Sequence, residues 1–192
     1  EHPSTLTSIH NLGGLLWKQG KLDEAEPLMR EAMEGRRRKL GDEHPSTLSS
    51  IHDLGGLLWK QGKYAEAEPL LREALEGQRR VLGDEHPHTV IAANNLGALL
   101  HARGKLIEAE PLLREALEEQ RRTLGDEHPF TLTSIHNLGL LLRDQGKLDE
   151  AEPLLRESLE VRRRKLGDAR PETLASAFNL GILFLHQGKL DE

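Results

Sequence analysis

Histidine offers the most chemistry in this chain. Its 192 residues include ten histidines and no cysteine, with 32 acidic and 26 basic side chains. An imidazole near neutral pH can bind a metal or move a proton. Here the histidines form ladders. His10, His52 and His136 stand at multiples of 42 residues, and so do His2, His44, His86 and His128. A catalytic centre needs a few unlike groups converging on one point, and a metal needs several ligands about 2 Å from the ion. Like groups on helices about 10 Å apart meet neither requirement. His86-Pro87-His88 is a weak metal signal. The turn histidines are expected to hydrogen-bond or cap the helix that follows. Gly14 to Gly20-Lys21 resembles a phosphate loop, but five residues separate the glycines instead of four, and no Ser or Thr follows the lysine. Arg36-Arg37-Arg38 suggests nucleic acid, yet Glu31, Glu34, Asp42 and Glu43 balance it and the net charge is −6. A solvated helix end is the expectation there. Without cysteine there is no disulfide framework, thiolate zinc site or thiol nucleophile. The chain is therefore expected to be no enzyme, with no cofactor, metal or nucleic-acid partner.

The spacing of these residues reflects the elements that carry them. Pro3, Pro45, Pro87, Pro129 and Pro171 are 42 residues apart, and Gly20, Gly62, Gly104, Gly146 and Gly188 keep the same interval. Residues 1–42 and 43–84 differ at eight positions, which leaves 34 of 42 identical. The chain divides into units 1–42, 43–84, 85–126, 127–168 and 169–192, the last holding one helix. Proline at 3 opens a helix. Leu6, Ile9, Leu12, Leu15 and Leu16 give it a helical period, and Gly20 ends it. A second helix is expected from about Asp23 to Leu40. Acids lead it and bases close it, and Glu26 with Arg30 and Glu34 with Arg38 form i,i+4 pairs. Gly13, Ala25 and Ala32 let the two helices approach, with Leu12, Leu16, Leu22 and Met29 filling the remaining space. No unit buries its apolar face alone, so neighbours must stack.

Leu12-Gly13, Gly20-Lys21-Leu22, Ala25 and Ala32 resemble the tetratricopeptide repeat. The Leu40-Gly41-Asp42-Glu43-His44-Pro45 turn and the Asn11-Leu12-Gly13 and Ala25-Glu26-Pro27-Leu28 runs look like its 42-residue, kinesin-light-chain-like type, and related arrays occur behind nucleotide-binding signalling ATPases. The resemblance implies an all-α solenoid, a right-handed superhelix of helix pairs with about 4.5 repeats, whose first helices line a concave groove. It implies a protein-binding scaffold.

The units themselves point to the same surface. They agree least along one stripe of the first helix. Trp17 becomes Trp59, His101, Arg143 and Leu185 in later units, and Lys18 becomes Lys60, Ala102, Asp144 and His186. His10, His52 and His136 lie on the same stripe. Along it, Asn11, Asn95, Asn137 and Asn179 recur, with Asp53 as the exception. In tetratricopeptide domains that this chain resembles, an asparagine here contacts bound peptide; equally, it could bond a neighbouring helix and hold the array together. Trp17 and Trp59 beside Lys18 and Lys60 would suit an acidic or aromatic peptide, or the rings could cover Gly14 and Gly56 and pack on the next helix. With one rung per three extended residues, a ligand of about twelve residues is expected.

Helix 173–187 is apolar nearly all round, and Phe178, Ile182, Phe184 and Leu185 are expected to mediate self-association, for example as a homodimer. Three readings stand together: a peptide-binding scaffold, a structural or sensor segment of a larger signalling protein, and a designed or recently duplicated array with no evolved ligand. No stretch is long and apolar enough to span a bilayer, no signal peptide opens the chain, and a cytoplasmic location is expected.

Overall fold

A computed structural model of the chain describes residues 2–189; residue 1 and residues 190–192, which close the fifth unit, lie outside the described residues. Among the described residues there are nine α-helices and no strand. First helices are α1 (Pro3–Lys18), α3 (Pro45–Lys60), α5 (Pro87–Ala102), α7 (Pro129–Asp144) and α9 (Pro171–Gln187). Second helices are α2 (Leu22–Leu40), α4 (Tyr64–Leu82), α6 (Leu106–Leu124) and α8 (Leu148–Leu166). Both helix boundaries follow from local chemistry. Proline begins each first helix with a preset φ and no orphaned N–H. The turn histidine before it caps the helix: Nδ1 of His2, His44, His86 and His128 accepts the backbone N–H two residues on, at 3.1–3.3 Å. Arg170 replaces that histidine before α9 and makes no side-chain cap. Each helix is followed by a glycine at positive φ, from Gly20 (φ +79°) to Gly188 (φ +73°), where any Cβ would be strained.

The helices fall into two compact units that divide between Leu99 and Leu100, inside α5. In the first, α1 packs on α2, α2 on α3, and α3 on α4. Glycine sets the closeness of these pairs. A Cβ on Gly55 would stand 2.9 Å from Leu71 Cγ, and one on Gly77 would stand 2.3 Å from Leu48 Cδ2. The core is Leu48, Ile51, Leu54, Leu57, Leu58, Leu71 and the small Ala67 and Ala74. Leu12, expected in the core, is half exposed, because no second helix precedes α1 among the described residues; its repeat partner Leu54 is fully buried. In the second unit, α6 packs on α7, α7 on α8, and α8 on α9. There Leu138, Leu141, Leu142 and Leu155 fill the equivalent space.

A glutamate ladder joins successive repeats within each unit. Glu26 pairs with Arg30 on its own helix and with Lys63 of the next repeat, at 2.9 and 2.6 Å. Glu110 does the same with Arg114 and Lys147, and Glu152 with Arg156 and Lys189. Gln145 and Gln187 add amide donors at 2.9 Å. The lysine bond is the largest influence on each carboxyl, and all three are held down at about 2. The folded pKa lies below the ordinary value of 4.5, so this stabilisation is complete above about pH 4.5 and is lost as pH falls towards 2. Glu110→Gln is expected to cost about 1 kcal/mol or less at pH 7 and to flatten the acid limb of stability. Urea unfolding of both proteins across this range measures it.

Candidate functional site

The variable stripe of the first helices is built in the first unit as a set of side chains that reach one repeat forward. Trp17 extends from the end of α1 to α3, where its ring would touch a Cβ on Gly56 at 3.2 Å. A cavity of about 530 Å³ lies between Trp17, Gly56, Trp59, Lys60, Tyr64 and Asn95. A second, of about 510 Å³, is lined by His10, Asn11, Gly14, Leu15, Trp17, Lys18, Met29 and Asp53. Aromatic walls and a rim of cations thus adjoin each other. Lys18 and Lys60 are exposed and, among the described residues, have no carboxylate partner. Most arginines of the second helices are paired, whereas these two lysines are not, among the described residues.

The ladder residues are occupied as well as displayed. His10 Nε2 lies 3.1 Å from Asp53 Oδ2, and His52 Nε2 lies 3.1 Å from Asn95 Nδ2. Asn95 is half-buried, and Asn11, with no rung before it among the described residues, is exposed. Burial pulls the His52 imidazole below its ordinary value despite the Asp53 carboxylate nearby. His10 and His52 therefore link rungs, each spending Nε2 on the next first helix.

The second unit repeats the arrangement with different chemistry. His136 Nε2 stands 3.4 Å from Asn179 Nδ2, whose amide also donates to the Ala175 carbonyl at 2.9 Å. Burial lowers His136 to about 4, with Arg162 and Arg143 adding to the effect. Arg143 donates to Asn179 Oδ1 at 3.2 Å and pairs with Asp144 at 2.8 Å. His101 Nε2 meets Asp144 Oδ2 at 2.7 Å. The Asp144 carboxyl lies below its ordinary value: burial opposes this, and the bonds from His101 and Arg143 outweigh it. Asn137 is half-buried and engaged in its turn. No group of three or more His, Asp or Glu side chains could hold a metal among the described residues.

Two expectations need correction. The Arg36-Arg37-Arg38 run is not a uniformly solvated helix end. Arg36 turns inward, its Nη1 donating to Ser50 Oγ at 2.6 Å and to the Ser46 carbonyl at 3.3 Å, and burial lowers its pKa. Arg37 bridges Asp42 and Glu73 at the surface, and Arg38 stands 3.8 Å from Glu34. Near the end of α9, Phe184 does not join the patch expected for self-association. It is 8% exposed and lies beneath Arg156, whose guanidinium carbon is 4.7 Å from the ring centroid. Phe178 (69% exposed), Leu174 and Leu185 form the exposed apolar face, with Ile182 half-buried.

The chain matches the family described as "Tetratricopeptide repeat" at residues 4–80, 50–118, 89–163 and 132–192. Among solved structures it is similar to a putative kinesin light chain from Podosopora anserina with nearly identical TPR-like repeats. The identity is 32% over 98% of this chain and 90% of that one, with a TM-score of 0.82, and a single-substitution variant of that protein gives 0.83. BtubC (BKLC) from P. vanneervenii is 25% identical, covering 98% of this chain and 75% of that one, at a TM-score of 0.81. PilF of Pseudomonas aeruginosa, at 20% identity and a TM-score of 0.68, shares the fold alone. No curated protein matches the chain. No described helix is long and apolar enough to cross a membrane.

Proposed function

This chain belongs to the tetratricopeptide repeat family, and on that premise we propose that it is a scaffold that holds an extended peptide along its first-helix stripe. The family is one of non-catalytic repeat scaffolds that bind protein partners. One observation carries the finer reading. The cavity between Trp17, Trp59, Tyr64 and Asn95 pairs aromatic walls with Lys60, which no carboxylate neutralises among the described residues. Lys18 stands in the same state one rung earlier. Aromatic side chains with cations beside them suit a peptide that carries acidic residues flanking an aromatic or aliphatic anchor. The asparagine amides lie along the same stripe and would meet the peptide backbone, with Asn95 and Asn179 doing so while they hold His52 and His136.

The test is a peptide-library screen read by tryptophan fluorescence. Acidic peptides of about ten residues should quench or shift Trp17 and Trp59, with affinity falling as salt rises. Lys60→Glu should weaken binding by about tenfold or more, and Asn95→Ala and Asn137→Ala should weaken it further. Equal binding by the wild type and Lys60→Glu sinks the acidic-peptide reading. Equal binding by both asparagine variants leaves the ladder a purely structural device.

A further inference from the structure

One position of the second helix changes its residue and leaves a space behind. In α2 it is Arg36, which reaches between α1 and α3. Its Nη1 donates to the Ser46 carbonyl and Ser50 Oγ, and Nη2 stands 3.5 Å from Thr7 Oγ1. In α8 it is Arg162, which donates to the Glu172 carbonyl at 3.4 Å, Ser176 Oγ at 2.7 Å and the Leu132 carbonyl at 3.3 Å. Both units therefore contain a seat for a guanidinium between consecutive first helices, buried at Arg36 and half-buried at Arg162, lined by carbonyl and hydroxyl oxygens.

In α4 the same position is Gln78, whose side chain is shorter. Beside it lies a cavity of about 290 Å³, lined also by Ser49, His52, Asp53, His88 and Ile91. Ser49 is the repeat counterpart of Thr7, and His88 is the counterpart of Ser46, so two of the three partners that Arg36 uses have equivalents on this wall. The third, Ser50, becomes Ala92. In its place the cavity has a carboxylate, that of Asp53, whose Oδ2 lies 3.1 Å from His10 Nε2. Gln78 is 3% exposed, and its amide oxygen is buried without a hydrogen-bond partner. An unpaired buried acceptor is costly, and a donor supplied from outside removes that cost.

We propose that the cavity beside Gln78, between α3 and α5, is a guanidinium-binding site that receives an arginine side chain of a ligand where α2 and α8 supply their own. A guanidinium presents five N–H donors in a flat fork. Asp53, Ser49, Gln78 and His88, which line this one space, each carry oxygen acceptors. A lysine ammonium carries the charge without the fork. The site does not depend on the acidic-peptide reading, because a lone guanidinium compound is enough to fill it.

The experiment titrates N-acetyl-arginine amide into the full chain and follows backbone amide shifts of Ser49, His52 and His88 by NMR. Saturable shifts are expected in the millimolar range, about the strength of a small fragment, with N-acetyl-lysine amide weaker by about tenfold. Gln78→Arg should fill the seat from within, abolish the saturable shifts and raise Tm. Asp53→Asn, an isosteric change on the wall, should weaken arginine binding several-fold even if Gln78→Arg misfolds. Equal affinity for the lysine compound, unchanged binding by Gln78→Arg or Asp53→Asn, or no saturation by about 50 mM would overturn the assignment.

Discussion

Leu57→Ala is expected to lower the free energy of unfolding by about 2–5 kcal/mol, whereas Leu15→Ala is expected to cost less than about 1 kcal/mol. The two leucines occupy the same repeat position with the same local sequence, Leu-Gly-Gly-Leu-Leu-Trp-Lys. Helix propensity and capping therefore cancel in the comparison. They differ in what covers them. Leu57 is 0% exposed, on a helix that α2 packs against. Leu15 is 52% exposed, on a helix with no second helix before it among the described residues. Truncating Leu57 removes apolar burial and leaves a cavity that α2 and α4 cannot close, while truncating Leu15 removes carbons already half in water. Urea unfolding followed by circular dichroism gives both values. Equal losses would mean that the contact between repeats contributes little and that each helix pair is stable by itself.

Gly139→Val is expected to cost about 3 kcal/mol, at the upper end of the usual range for overpacking. A Cβ at Gly139 would lie 2.8 Å from Leu155 Cδ2, 2.9 Å from its Cγ and 3.5 Å from Leu154 Cβ. Leu155 is fully buried, so its side chain has nowhere to turn. Either α7 moves away from α8 or Leu155 leaves its rotamer well, and both forfeit contacts along the pair. Gly181 supplies the internal control. It holds the same repeat position on α9, where a Cβ would meet nothing within 4 Å. Gly181→Val should lie within about 0.5 kcal/mol of wild type, since valine is a somewhat better helix former than glycine. A shared loss at both sites would trace the cost to the helix backbone instead of to packing.

Much of this molecule is legible in one chain because its repeats are so nearly copies. Proline and glycine mark the helix ends, and every glycine after a helix has positive φ. The turn histidines cap as their spacing implies. The residues that were misread are those whose partner lies one repeat away. Glu26 with Arg30 is visible as an i,i+4 pair, but the stronger bond comes from Lys63, 37 residues later. Arg36 sits in a run of three arginines, so composition argues for solvent, and only the packed helices show that its direction is inward. Phe184 lies on a helix apolar nearly all round, which leaves no polar face to tell the buried side from the exposed one. That the first helices differ most between copies along one stripe could be read from the sequence. The histidine-to-asparagine bonds on that stripe could not, because they depend on the offset between neighbouring first helices.

Those bonds have a kinetic meaning too. Within each unit, the hydrogen bonds that join one repeat to the next span at most 43 residues. Every favourable contact is thus gained by closing a short loop, with little chain entropy lost before the first gain. Such a chain has low contact order and should fold fast, nucleating wherever two neighbouring repeats first meet and growing outward one helix at a time. Amide exchange should then report a gradient instead of a single value. It should be slowest around Ile51 to Leu58 and around Ile135 to Leu142, where both neighbours are present, and fastest in α1 and α9.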